Sequence, residues 1–307
     1  MLTKIVDSYL SFRRATGFTL KADERYLHNF AKFAESEGDT HIVSNTAINW
    51  AGQSHSEAQK ANRLKAIVRF AHFCRAEDSR HEVPLGNVFC GRHHRPIPFI
   101  FTDEQVKALM DQTLKLTPKW SLRPVMYNTL VGLFAATGIR LSEAINLTFR
   151  DFTQDGLIIR NTKYRKSRSI PLHSSTAEAL NGYLNKRKQL NIDDSHIFVS
   201  LRNHPLTSQT IYAVYYRLLD ETGIYKVTDK SSSKPRPRIT DFRHTFATRA
   251  LINCPNSRDH IDQHILALTT YLGHAHVGCT YWYLESTPLL MRDIANKCTD
   301  FIQEELS

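Results

Sequence analysis

Apolar positions over residues 1 to 92 recur at three- and four-residue steps, the spacing of helices with one buried face. Leu2 to Ala15 reads as a short helix ended near Gly17. Thr19 is placed to cap a second, in which Tyr26, Leu27, Phe30, Phe33 and Ala34 share a face. Ser54 and Glu57 have capping-box spacing ahead of a long helix through Arg75, with Leu64, Ile67, Val68 and Ala71 as its apolar stripe. From Gly91 to Pro98 two prolines and a run of basic residues interrupt the pattern as a linker. Thr102 caps the next helix. From Leu122 to Phe149 apolar residues can bury several sides of a helix, as at the centre of a second domain. This run breaks at Thr137-Gly138-Ile139-Arg140, and a new helix starts near Ser142 with Glu143 on its first turn.

Phe149 to Leu172 alternates like a sheet. Asp155-Gly156 signals a hairpin before Leu157 to Arg160, and Thr162 to Arg168 turns into Ser169 to Leu172. Ser175 and Glu178 open another helix, to about Leu190. Ser208 to Thr222 follows, with Ile211, Val214, Tyr215 and Leu218 on one face. After a Ser/Pro/basic loop from Thr228 to Arg238, helices resume at Asp241, near His260 to Leu272, and from Pro288 to Leu306. The pattern predicts a mainly α protein with a small antiparallel β-sheet (α+β). Its expected domains are a helical 1–92, a linker 93–99, and 100–307 with a carboxy-terminal helix.

The 307 residues are 41% hydrophobic, enough for two cores. The net charge of +10 favours a polyanionic partner, nucleic acid before an anionic membrane surface. Candidate DNA-facing cations are Lys60, Arg63 and Arg69 on the long helix, and Arg92 and Arg95 in the linker. The hairpin tip offers Arg165, Lys166 and Arg168, and the later loop Arg236 and Arg238. Each has the plainer reading of a solvated charge. No apolar run approaches a membrane span, and no secretory signal pattern opens the chain. The five scattered cysteines read as reduced thiols of a cytosolic protein.

The chemistry-bearing stretch is Ile239 to Tyr283. It holds an arginine, a histidine and a tyrosine that folding could bring to one point. A guanidinium matches two phosphate oxygens, and a phenol is a possible covalent nucleophile, so the set points to a phosphodiester. Arg140 lies at a helix junction among apolar residues, where an unpaired charge is costly; Glu143 is the candidate partner. Tyr281 and Trp282 read as core anchors. His260 and His264 lack a third ligand, so no metal site is assigned. No phosphate-binding glycine loop indicates ATP.

Five segments together resemble the tyrosine recombinases, the phage integrase family. Ala136-Thr-Gly-Ile-Arg140-Leu-Ser-Glu143 looks like its first-arginine motif, and Thr162-Lys163 like its catalytic lysine. Thr240-Asp-Phe-Arg243-His-Thr-Phe-Ala-Thr248 looks like its second-arginine box and Leu272-Gly-His274 like its third. Tyr283 lies nine residues beyond His274, where this family places the nucleophile. One position departs: the family's second-arginine box usually opens with histidine, and here it opens with Thr240, a poor proton acceptor. His244, next to Arg243, would point about 100° away on a helix and reads as a structural hydrogen-bonder.

The resemblance implies a C-shaped clamp around double-stranded DNA, made of the helical DNA-binding domain and the catalytic domain. It implies a site-specific recombinase or integrase that cleaves and rejoins strands through a 3′-phosphotyrosyl intermediate, without metal, ATP or other cofactor. Arg140, Lys163, Thr240, Arg243, His274 and Tyr283 become the catalytic set, with Glu143 in support. The expected partner is DNA, bound by a homotetramer across two sites, in the cytoplasm of a bacterium or on a mobile element, with no membrane role. The competing expectation is a weak or inactive architectural DNA-binding protein on the same fold, because of Thr240.

Overall fold

Among the residues described, the first part of the chain forms α1 (Leu2–Ala15), α2 (Lys21–Ser36), α3 (Ser44–Gly52) and α4 (Glu57–Glu77). The computed structural model describes residues 2–89, 97–160, 167–190, 192, 194–200, 202–226, 236–253 and 258–285. The chain divides into two units, Met1–Arg95 and Pro96–Ser307.

In the first unit Val6, Tyr9 and Leu10 of α1 meet Leu27, Phe30 and Ala34 of α2, Trp50 of α3, and Leu64, Ile67 and Phe70 of α4. The helix starts differ from the expected ones. α2 begins after Leu20, which takes a left-handed φ of 48°, and Thr19 does not cap it. Ser56 caps α4 by accepting from Gln59 N, while Ser54 Oγ donates to the Gln59 side chain 2.7 Å away. Helix α3 was not predicted; Ala47, Trp50 and Ala51 are its buried residues, too few turns for a period to register.

The second unit contains α5 (Asp103–Thr113), α6 (Arg123–Thr137), α7 (Leu141–Ile145) and a 3-10 turn, Phe149–Asp151. Strands β1 (Phe152–Thr153), β2 (Gly156–Ile159) and β3 (Arg168–Ile170) form an antiparallel meander, with Leu157 opposite Ile170 and Ile159 opposite Arg168. Helices α8 (Ser174–Gln189), α9 (Ser208–Glu221), α10 (Thr240–Ile252), α11 (Arg258–Leu272) and α12 (Gly278–Glu285) follow. His173 caps α8, in place of the expected Ser175. The capping box at Thr102 forms with Gln105. The architecture is mainly α with a small antiparallel sheet.

Helix α6 runs through the core, burying Met126, Tyr127, Leu130, Val131, Leu133 and Phe134. Phe242 of α10 stacks on Phe101 at 4.5 Å and on Phe134 at 6.2 Å, which fixes α10 against α6. A smaller apolar cluster joins Ala247 and Leu251 of α10, Ile265, Leu268 and Leu272 of α11, and Tyr283 of α12. The candidate site lies where these two cores meet. The predicted helix Pro288 to Leu306, the hairpin tip 161–166, and most of the linker and of the Thr228 to Arg238 loop fall outside the described residues.

Candidate active site

The apolar helix α6 ends at Gly138, whose left-handed φ of 60° turns the chain. A Cβ there would stand 3.0 Å from the Phe246 ring, so a glycine also lets α10 pack close. The next residues bring Arg140 to the cap position of α7. Glu143, one turn on, folds back: its Oε2 accepts from Arg140 N at 3.1 Å and its Oε1 from Arg140 Nη1 at 2.6 Å.

Helix α11 ends in a Schellman motif. Gly273 takes φ of 64°, its N–H donates to Thr270 O, and His274 N–H donates to Thr269 O. The three carbonyls left over at this helix end each accept from a different arginine. Arg168 Nε donates to Tyr271 O at 2.7 Å, Arg243 Nη2 to Leu272 O, and Arg140 Nη2 to Gly273 O at 3.2 Å. Arg243 also donates to Gly138 O at 3.0 Å, tying the ends of α6 and α11 together. The helix dipole places partial negative charge where the three guanidiniums converge, which helps to hold cations so close to one another.

Arg243 is 4% exposed and Arg140 keeps a third of its side chain open. Burial, then the like charge of Arg140, brings Arg243 down to about 10, with Tyr283 and Glu143 opposing; it stays cationic at neutral pH. Arg243 hydrogen-bonds the Tyr283 side chain, and since a guanidinium only donates, the phenol oxygen accepts. Tyr283 is 4% exposed, with the His274 ring stacked at 5.9 Å and the His244 ring edge-on at 5.3 Å. His274 Nδ1 lies 2.8 Å from Thr280 Oγ1, which lies 2.8 Å from Thr269 Oγ1. Burial and the guanidiniums of Arg243, Arg140 and Arg168 push His274 down to about 3, so its ring is neutral at pH 7.

Arg168 is a correction. Expected at the DNA-facing hairpin tip, it is 8% exposed and turned inward, forking onto Glu143 with Nη1–Oε1 of 2.9 Å and Nη2–Oε2 of 2.8 Å. Glu143 is itself 7% exposed, and an unpaired carboxylate at that depth is costly. Burial raises its pKa, but the bonds and charges of Arg168 and Arg140 win and hold it at about 2. A Cβ on Gly273 would sit 2.9 Å from Arg168 Nη1, so this guanidinium needs a glycine beneath it. Sequence reasoning missed Arg168 because its role depends on Glu143 and Tyr271, both remote along the chain.

Two further readings change. Tyr281 is 43% exposed and is no core anchor, whereas Trp282 packs at 4.9 Å on His244. His244 is more ring than hydrogen-bonder: its Nδ1 is buried without a partner and its Nε2 lies 3.7 Å from Asp241 Oδ1. Burial, then Arg238 and Arg243, pushes it down to about 4. His264 Nε2 sits 2.7 Å from Ala250 O, a structural contact.

Thr240 is exposed, one turn before Arg243. Lys60 pairs with Glu57 at 2.7 Å, Arg69 with Asp23 at 2.8 Å, and Arg63 lies over the Trp50 ring. Arg236 covers the Tyr216 ring at 3.7 Å and Arg238 pairs with Asp241 at 2.9 Å. Lys163, Arg92, Arg95, Arg165 and Lys166 lie outside the described residues.

The profile of the Phage integrase family matches residues 100–289, more than half of the chain. The integrase/recombinase relative y4rB of Sinorhizobium fredii is 35% identical, across 94% of this chain and 94% of that protein. The tyrosine recombinase XerD of Halalkalibacterium halodurans is 28% identical, across 88% and 86%. Among solved structures, XerH recombinase bound to its difH substrate superposes with a TM-score of 0.65 at 17% identity, covering 88% of this chain and 77% of that one. The Tn1549 transposon integrase with transposon end DNA gives 0.63 at 16%, covering 96% and 99%. These likenesses show a shared fold.

Proposed function

The chain belongs to the phage integrase family of tyrosine recombinases, whose reaction is DNA strand breakage and rejoining. From that premise we propose that Tyr283 is the nucleophile and that Arg140, Arg243 and His274 form the site at which it attacks a DNA phosphodiester. The observation that carries this is the buried phenol, hydrogen-bonded by Arg243 and stacked on His274 at the arginine-capped end of α11.

In the proposed step the Tyr283 oxygen bonds to phosphorus, the bond to the 5′-oxygen breaks, and a 3′-phosphotyrosyl link remains. The freed 5′-hydroxyl of a partner strand reverses the step. The phosphodiester energy is kept in the link, so the exchange needs neither ATP nor metal. As phosphorus becomes pentacoordinate, charge gathers on its oxygens, where Arg140 and Arg243 donate. Both are already held on carbonyls of α11 and α6, so little reorganisation accompanies the reaction. Lys163 is assigned as acid for the leaving 5′-oxygen, and Thr240 as a donor to the phosphate.

Residues 1–92 are proposed as the DNA-holding module, joined by 93–99 to the catalytic 100–307. Lys60, Arg63, Arg69, Arg92, Arg95, Arg165, Lys166, Arg236 and Arg238 are assigned to backbone phosphates. Arg168 is withdrawn from that set. A homotetramer on two DNA sites is the proposed working form, in the bacterial cytoplasm.

The test is a suicide DNA site built from the sequence flanking the gene, nicked so that religation fails. A covalent adduct on a denaturing gel, absent for Tyr283→Phe, is the expected result. Tight binding with no adduct would instead mark an architectural protein.

A further inference from the structure

The second unit begins at Pro96, and residues 97–102 form neither helix nor strand before the start of α5. Buried backbone groups in such a segment need partners. Helix α10 supplies them from one stripe. Phe99 N–H donates to the Asp241 carboxylate. Phe101 N–H donates to Thr245 Oγ1 at 3.0 Å, and Phe101 O accepts from Arg249 Nη2 at 3.0 Å. Arg249 Nη1 also pairs with Asp103 at 2.7 Å. Asp241, Thr245 and Arg249 stand four residues apart, so each step climbs about 6 Å of helix. Residues 99, 101 and 103 stand two apart, about 6.6 Å of extended chain per step. The two repeats nearly match, and three successive rungs form.

The first two rungs are deep. Asp241 is 1% and Thr245 4% exposed. Thr245 Oγ1 gives its proton to Asp241 O at 2.8 Å, which leaves its lone pairs for Phe101 N–H. Beside the rungs the Phe101 ring stacks on Phe242, the residue before Arg243. Positions 241 and 245 each lie about 200° around the helix from 243. The stripe that holds the entering chain and the side chain of Arg243 therefore leave α10 on opposite sides. From its side Arg243 reaches Gly138 O and Leu272 O.

We propose that this seam positions Arg243, with Thr245 as its central rung. By fastening α10 to the entering chain, Asp241, Thr245 and Arg249 fix the rotation and height of the helix, and so the point from which Arg243 reaches the scissile phosphate. This rests on the reading of Arg243 as a donor to that phosphate. Both partners of the Thr245 hydroxyl, Phe101 N and Asp241 O, belong to the seam and not to the site, so Thr245 acts only through the helix. A shift of α10 reaches the reaction as a misplaced guanidinium, and its mark is a rate loss that depends on the charge of the phosphate.

The experiment uses the full chain and a suicide DNA site in two forms. One carries the ordinary scissile phosphodiester. In the other a methyl group replaces a non-bridging oxygen, which makes the linkage neutral. Single-turnover adduct formation is timed on both at saturating DNA. Arg243→Ala calibrates the pair: its deficit should be smaller on the neutral linkage, which has less charge to offset. Equal Arg243→Ala deficits would take Arg243 off the phosphate and remove the reading beneath this proposal.

Thr245→Val keeps the branched shape and loses the acceptor. Misplacing a group by an ångström can cost about 100-fold, and this smaller displacement should slow the ordinary site by roughly 10-fold with DNA affinity unchanged. The deficit should shrink several-fold on the neutral linkage, whereas a general loss of structure slows both alike. Thr245→Ser keeps the oxygen and should restore the rate. Equal losses on the two linkages, equal rates for Thr245→Val and Thr245→Ser, or a native rate for Thr245→Val overturns the proposal.

Should Thr245→Val not fold, Arg249→Met decides, because the Arg249 side chain is 42% exposed at the outer end of the seam. It should show a smaller deficit that also shrinks on the neutral linkage; a native rate, or equal losses on both, overturns the proposal. If the native protein forms no adduct, the nucleophile reading fails. If it does, and Arg243→Ala responds to the linkage while the seam variants do not, only this inference fails.

Discussion

Arginines do two different jobs in the two units. At the end of α11, Arg140, Arg168 and Arg243 donate to three successive carbonyls, and Glu143 lies between two of them. On the first unit, Lys60 and Arg69 pair with single nearby acids, and Arg63 rests on Trp50, all near the surface. In the first group Arg168 and Arg243 lost their water on folding, Arg140 keeps a third of its side chain open, and all three are held by bonds that already exist before any phosphate arrives. The second pairs with single acids near the surface, where an ion pair is worth only about 0–1 kcal/mol, so Glu57 or Asp23 can be exchanged for phosphate at little cost. In the proposed function the arginines at the end of α11 serve transition-state stabilisation, and the surface cations of the first unit serve counterion release.

The largest expected contrast is Arg243→Ala. Removing a preorganised donor costs about 10²–10³ in rate, so single-turnover adduct formation should drop that far while DNA affinity changes little. A loss confined to affinity would put Arg243 in the same class as the surface cations.

Gly273→Ala probes the arginine cluster without touching an arginine. Its left-handed φ alone costs an L-residue roughly 1–2 kcal/mol, and the new Cβ would stand 2.9 Å from Arg168 Nη1. Gly38→Ala, with φ of 85° and nothing within 4 Å, supplies the strain-only reference. Both should melt earlier. Only the Gly273 variant should lose cleavage, by roughly 10- to 100-fold, if the displaced Arg168 moves Glu143 and Arg140. Equal cleavage in the two would make Arg168 mere packing.

Acid should act on the buried site first. His274 and His244 are held at about 3 and about 4, below the ordinary histidine value. The unfolded chain therefore binds more protons between about pH 6.5 and those values. Their contribution to stability is complete above about 6.5 and is lost as pH falls through that window. Melting temperatures measured from pH 7.5 to 5 should fall, and His274→Asn should flatten the fall. A melting curve independent of pH there would contradict the burial argument.

The smallest effects belong to the surface. Lys60→Ala and Arg69→Ala should each shift stability by less than about 0.5 kcal/mol and lower the salt slope of DNA binding by about one at most. Unchanged slopes would remove those residues from the DNA face.

Much of this was legible in the chain. The breaks at Gly138 and Gly273, beside Arg140 and His274, mark helix ends, and glycine after an apolar run says so directly. The spacing from Arg243 to His274 to Tyr283 pointed to one site because the residue types are chemically unusual together. Arg168 and Thr280 were not legible. One is a cation among the cations of a hairpin, and the other a threonine in a helix, and each acquires its role only from partners on other segments. Helix α3 was missed for want of length, and the cap of α4 slipped by two residues because Ser54 and Ser56 are equally good caps in isolation.

The central claim is that the buried phenol of Tyr283, held by Arg243 at the end of α11, becomes bonded to DNA. The direct measurement is to trap the adduct on a suicide site, digest the protein, and identify by mass spectrometry the peptide that carries the nucleotide. The account predicts the modification on Tyr283 and none on its exposed neighbour Tyr281. Nucleotide found on Tyr281, or on any residue away from the arginine-capped helix end, would contradict it.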